Sequence, residues 1–187
     1  MPRISDARQR AVATTARLLQ EQGYAATGVT QILEESGAPK GSFYFHFPDG
    51  KEQLAAEALR LAGAEIEQGL RQLAAAAASP AELVTRFVDR QARALAASGY
   101  RRGCPIATVA LEMADESPAI RVACREIFDG WIAVLAEAFT PHLGGRAREY
   151  AEELFMAVEG ALLLSRVRRD TAPLQLTRDR LVSELRG

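Results

Sequence analysis

The sequence predicts an all-α protein of about nine helices, and three observations predict it. Apolar residues recur at three- and four-residue spacing along almost the whole chain, the interval that lines one face of an α-helix. No segment alternates apolar and polar residues with the period of two that a half-buried strand requires. Glycine and Ser-Pro or Ala-Pro pairs punctuate the chain at helix-length intervals.

Taken in order, Ser5 or Asp6 can cap a first helix over about 6–22, whose Val12, Ala16 and Leu19 share a face and which ends at Gly23. Thr27 or Gly28 can cap a short second helix carrying Val29, Ile32 and Leu33 inward, closed by Gly37. A third short helix is expected to begin at Pro39, whose missing N–H suits a first helical turn, and to end near His46. From Lys51 the chain reads as one long helix with Leu54, Ala58, Leu61, Ile66, Leu70 and Leu73 apolar, running through the alanine-rich stretch to Ser79-Pro80. Five further helices are expected over about 80–97, 104–114, 117–140, 145–168 and 174–186.

Composition limits what such a chain can do. With 187 residues, 48% hydrophobic and 25% charged, it can bury a substantial core. A net charge of -1 excludes a protein coated in positive charge, so a nucleic-acid site has to be a local patch. Only two of the 23 basic residues are lysines, Lys40 and Lys51, and both lie between Thr27 and Lys51. Cys104 and Cys124 are too far apart for a CxxC site, and with His46 and His142 they supply no metal-ligand spacing. No cofactor is expected. Neither a signal-peptide core nor a bilayer-length apolar run is present, so no membrane partner is expected and the location expected is cytoplasmic. Nucleophile-elbow, dinucleotide, phosphate-loop and zinc-protease motifs are missing, and the acid pairs Glu34-Glu35 and Glu152-Glu153 are explained by solvated helix faces. An enzyme is therefore not expected.

The second and third helices, joined at Ser36-Gly37-Ala38, have the helix-turn-helix layout, in which the second element enters the major groove of DNA. Lys40, Ser42, Tyr44, Phe45 and His46 place a cation, hydrogen-bonding groups and aromatic rings within two turns, a set suited to phosphates, base edges and thymine methyls. Phe43 and Phe47, four residues apart, point to the core.

From about Val12 to Leu54 the sequence resembles the N-terminal domain of the TetR family of transcriptional regulators, through Gly23, Tyr24, Thr27, Ile32, Gly37, Lys40, Gly41, Ser42, Phe43, Tyr44, His46, Phe47 and Lys51. The resemblance implies a helix-turn-helix DNA-binding domain over 1–51, with double-stranded operator DNA as partner. It implies that Thr30 meets phosphate, that Lys40, Gly41 and Ser42 lie nearest the bases, that Tyr44 and His46 grip phosphates and that Phe45 touches a thymine methyl. Lys51 adds a further phosphate contact in this reading, although Phe47-Pro48-Asp49-Gly50-Lys51 is one residue longer than the family's usual spacing. Pro39, grouped with the DNA-facing residues, stands where a polar residue is frequent.

Residues 52–187 are the expected ligand-binding and dimerisation domain, and part of this region resembles the LmrA/YxaF-like subgroup of the same family. Pockets in helical proteins are mostly apolar with a few polar anchors, which makes Phe87, Cys104, Thr108, Met113, Phe128, Trp131 and Ile132 candidates for contact with a small effector. A homodimer interface is expected on Leu154, Phe155, Val158, Gly160, Leu162 and Ser165 of one helix with Leu174 and Leu181 of the next; burial of that stripe within the subunit is the alternative. The function implied is that of a ligand-responsive repressor on a palindromic operator, released by a small aromatic or hydrophobic effector. The alternative is a helical small-molecule carrier in which the helix-turn-helix serves only packing.

Overall fold

A computed structural model describes residues 4–185, apart from the side chains of Ile4, Ser5 and Ser42. Among the described residues there are helices and no strands: α1 (Ile4–Gln22), α2 (Val29–Ser36), α3 (Phe43–His46), α4 (Gly50–Ala76), α5 (Pro80–Ala97), α6 (Pro105–Met113), α7 (Pro118–Leu143), α8 (Ala147–Arg168) and α9 (Ala172–Glu184). Short 3-10 turns at Lys40–Ser42 and Gly144–Arg146 lead into α3 and α8. The helix order is as the sequence predicts.

Local chemistry sets the boundaries. Helix α1 is already helical at Ile4, so Asp6 is a first-turn acid rather than a cap; it favours the positive end of the helix dipole and pairs with Arg10 at 2.7 Å. Ser79 caps α5, its hydroxyl accepting from the N–H of Glu82 at 3.2 Å, with Pro80 in the first turn. Ser117 does the same for α7, accepting from the Ile120 N–H at 3.3 Å. Helix α7 continues past Pro141 to Leu143, beyond the expected end at 140, although the proline has no N–H to give the carbonyl four residues back. Helix α4 ends at Ala76, short of Ser79. The expected end of α9 at 186 lies outside the described residues.

The chain forms two compact units: residues up to Glu65 with Pro105–Ile127, and Ile66–Cys104 with the residues from Phe128 onward. Helix α4 contributes its first part to one and its last part to the other. In the first unit α1 packs on α2 and α6, with Leu18, Leu19, Ile32, Phe43, Phe47 and Leu54 buried. Full burial of a side chain such as Phe47 contributes about 1.5–3 kcal/mol, so the short α3 is held mainly by Phe43 within it and Phe47 just after it. In the second unit α5, α8 and α9 pack on one another around Leu83, Val88, Leu154, Val158 and Leu174. Arg178 of α9 meets Asp89 of α5 at 2.8 Å, and the Tyr150 hydroxyl of α8 donates to the Leu181 carbonyl of α9 at 2.8 Å.

Candidate nucleic-acid interface and sensor core

Gly23 ends α1 at φ +77°, a left-handed conformation that suits glycine, and a Cβ there would run into the Glu112 carboxylate. The buried Thr27 hydroxyl donates back to the Gly23 carbonyl at 2.6 Å and fixes the connector. Gly28, in extended conformation, is the N-cap of α2, and Gly37 at φ +63° is its left-handed stop. Arg10 Nε donates to the Ser36 carbonyl at 2.9 Å, satisfying one of the open carbonyls at that helix end.

The third element differs from the single helix expected from Pro39 onward. Pro39, at φ -65° and ψ 128°, precedes the helical residues; Lys40–Ser42 form a 3-10 turn and only Phe43–His46 are α-helical. The fixed φ of proline fits both arrangements, and Gly41 weakens any preference for a regular α-turn. Within this element Phe43 and Phe47 are buried as predicted, while Tyr44 is 72% and Phe45 79% exposed. Thr30, Pro39, Lys40 and Gly41 are exposed and His46 is half-buried against the ring edges of Phe45 and Phe47. The side chain of Ser42 lies outside the described residues.

Charge is distributed unevenly around this surface. Arg8 pairs with Glu57 at 2.6 Å, Arg10 with Asp6, and Arg17 with Glu21 and Glu35. Among the described residues Lys40 makes no ion pair, so its charge is available beside the two exposed rings. Lys51 is placed differently from the phosphate contact the resemblance implies. Its ammonium donates to the Tyr24 carbonyl at 2.8 Å and sits 3.8 Å from the centre of the Tyr24 ring, and burial lowers its pKa. Through these contacts the lysine braces the α1–α2 connector. Two bonds that sequence reasoning missed fasten the same region: Glu112 of α6 accepts from the Ala25 N–H at 2.7 Å, and the Ser117 hydroxyl donates to Glu52 at 2.6 Å. No local motif announces them, because their partners are 87 and 65 residues apart.

The candidate pocket residues divide between the units. Thr108 (half-buried) and Met113 (buried) belong to the first; Phe87, Cys104, Phe128, Trp131 and Ile132 belong to the second. There, Phe128, Trp131 and Phe155 form a triangle of rings with centroids 5.4–5.8 Å apart in tilted and edge-on contact, and Trp131 is only 2% exposed. Phe155 was expected at a dimer interface; here it completes this cluster. Half-buried Glu159, one turn beyond Phe155, accepts a hydrogen bond from Cys104, and burial raises its pKa. Glu159 was missed by sequence reasoning, though an acid interrupting the Phe155–Val158–Leu162 stripe is a readable signal. Cys124, buried in the first unit, has its thiol pushed up to about 11 by burial.

The dimer expectation is revised in one respect. Leu154, Phe155, Val158, Leu162, Ser165, Leu174 and Leu181 are buried within the single chain, so they supply its own core rather than a free surface; Gly160 is exposed. The outward stripe of α8 is Met156, Gly160, Leu163, Leu164 and Val167, spaced by helical turns, and Leu176 is exposed on α9. Among the described residues no helix is long and apolar enough to cross a membrane, and no cluster of three or more His, Cys, Asp or Glu is placed to hold a metal ion.

These features define a class: an all-helical protein with a helix-turn-helix whose second element offers solvent two aromatic rings and a free cation. Comparison with known proteins narrows it. Residues 11–58 match the bacterial regulatory proteins of the tetR family, and residues 80–180 match the C-terminal domain of LmrA/YxaF-like transcriptional regulators. The chain is 36% identical over 180 residues to the uncharacterized HTH-type transcriptional regulator YxaF of Bacillus subtilis, covering 94% of this chain and 93% of that protein. It is 36% identical over 171 residues to the HTH-type transcriptional regulator LmrA of the same organism, covering 90% and 91%. Among solved structures, the reduced form of Escherichia coli NemR superposes with a TM-score of 0.82 at 24% identity, covering 94% of this chain and 95% of that one. A TetR transcriptional regulator from Chloroflexus aurantiacus gives 0.80 at 26% identity, covering 98% and 96%. The chain belongs to the TetR family, with an LmrA/YxaF-like C-terminal domain; it is a DNA-binding transcriptional regulator and not an enzyme.

Proposed function

We propose that this regulator is a repressor that binds a palindromic operator as a homodimer and lets go when a small aromatic or hydrophobic effector binds its C-terminal domain. The observation that carries the reading is the exposure of Tyr44 and Phe45 beside Lys40, on a segment anchored from below by Phe43 and Phe47. Large rings held out in water on a rigid support await a partner. In this reading Lys40, Gly41 and Ser42 approach the bases, Thr30, Tyr44 and His46 hold phosphates, Phe45 meets a thymine methyl and Pro39 shapes the entry to the element. Lys51 acts indirectly, by fixing Tyr24 and the connector before α2.

Residues 1–51 then carry DNA recognition and 52–187 sensing and assembly, a division of labour rather than of packing. The effector acts by favouring a placement of α4 that spoils the spacing of the dimer's two reading heads; a tenfold relief of repression requires about 1.4 kcal/mol of preference for the DNA-incompetent state. The second copy docks on the apolar outward stripe of α8 and on Leu176, since one reading head makes too few phosphate contacts to hold an operator alone. A protein whose partner is chromosomal DNA works in the cytoplasm. The test is footprinting on the intergenic DNA beside the chain's own gene. Two protected half-sites about one helical turn apart are expected, lost when Leu163→Arg makes the chain monomeric; protection by that monomer at equal concentration, or of no fragment at low salt, contradicts the reading.

A further inference from the structure

The acids of α8 have two kinds of surroundings. Glu149 and Glu153 are exposed, and Glu152 pairs with Arg148 at 3.0 Å, as expected of a solvated helix face. Glu159 instead lies half-buried in the second unit, one turn from Phe155 along the helix. Its one described partner is the Cys104 thiol, a weak donor, and among the described residues no cation pairs with it. A carboxylate withdrawn from water costs stability unless a cation or strong donors meet it. Nothing in the packing of α8 requires an acid there, because its neighbours Val158, Ala161 and Leu162 are apolar and buried.

Beside it stands the aromatic triangle. The three rings meet at interplanar angles of 58°, 71° and 58°, so none is stacked flat on another, and Phe128 keeps part of its surface accessible. An aromatic face carries partial negative charge and attracts a cation, and a flat apolar ligand packs on the same surface. Trp131 and Phe155 are buried, whereas Phe128, Ile132, Cys104 and Glu159 keep part of their surface accessible. Rings and carboxylate therefore favour the same ligand chemistry: positive charge carried on an aromatic plane. An anion would meet the repulsion of Glu159, and a neutral ligand would leave that carboxylate uncompensated.

We propose that Phe128, Trp131, Phe155 and Glu159 form an effector site selective for a flat aromatic cation, with the Glu159 carboxylate meeting its positive charge. This rests on the reading of the chain as effector-released and names the effector's chemical class. The experiment uses the full chain and two probes of one shape, the N-methylquinolinium cation and its neutral isostere methylnaphthalene, titrated by calorimetry. Quenching of Trp131, the chain's single tryptophan, reports where they bind.

The cation binds wild-type protein at least about tenfold more tightly than the isostere. Glu159→Gln, which keeps the shape and removes the charge, brings the two affinities to within about twofold, and unchanged binding of methylnaphthalene shows that the rings remain in place. Equal affinities for the two probes in wild-type protein, a cation preference that survives Glu159→Gln, or no binding of either probe overturns the site. Operator retention, measured on the same preparations, separates the two levels: protein that holds operator but shows no cation preference refutes the site alone, and protein that never holds DNA refutes the regulator reading together with the site.

Discussion

Two sets of aromatic residues in this molecule receive opposite treatment. In the reading head, Phe43 and Phe47 go inward while Tyr44 and Phe45, between them, are left in water. In the second unit Phe128, Trp131 and Phe155 turn toward one another. The first set lies on a single turn of helix too short to stand alone, so half its rings are spent on attachment and half are free for a macromolecular partner. The second lies on α7 and α8, helices of 26 and 22 residues that need no such anchoring, and its rings pack on one another. Burial of a ring in the head thus reports on stability, and exposure reports on recognition.

The strongest way to break this contrast is truncation of buried rings. Phe47→Ala and Trp131→Ala are each expected to lower unfolding stability by about 3–5 kcal/mol, whereas Phe45→Ala should change it by no more than about 0.5 kcal/mol while weakening operator binding about tenfold. Urea titrations of the three variants check this; similar losses for all three would erase the distinction. A smaller effect separates hydrogen bonding from packing in the second unit: Tyr150→Phe leaves the ring edge-on to Phe139 but removes the bond to the Leu181 carbonyl, at a cost of about 1 kcal/mol. The last concerns Cys124 and shows itself only at alkaline pH. Burial raises its thiol from about 9 to about 11, so the folded state holds the proton that the unfolded state gives up first. Its contribution is complete below about pH 9 and is lost as pH rises through about 11. Denaturation curves of wild type and Cys124→Ala should therefore converge over that interval, and a constant difference would exclude the linkage.

The reading head was largely legible because its determinants are local. The Gly23 turn, the Gly37 stop, and the alternation of Phe43, Tyr44, Phe45 and Phe47 all act within a few residues of where they stand. The family resemblance covers the same stretch. Lys51 shows where locality ends: its contact is with Tyr24, 27 residues away. The face of α8 was illegible for another reason. Leu154, Phe155, Val158 and Leu162 make one apolar stripe and Met156, Leu163, Leu164 and Val167 another, so periodicity offers two inward faces and cannot choose. The choice falls to α5 and α9, which pack on the first. Glu159 stands out in the sequence as an acid interrupting an apolar stripe, but its surroundings, Cys104 and the ring cluster, come together only in three dimensions.

In the proposed function the exposed rings of the head hold DNA. The most direct measurement is the operator affinity of wild type and Tyr44→Ala by fluorescence anisotropy over a range of salt concentrations, with their unfolding curves alongside. Tyr44→Ala is expected to bind about tenfold or more weakly with stability unchanged, and wild-type affinity is expected to fall steeply as salt rises. Equal affinities, or a loss of binding matched by a loss of stability, would contradict that function.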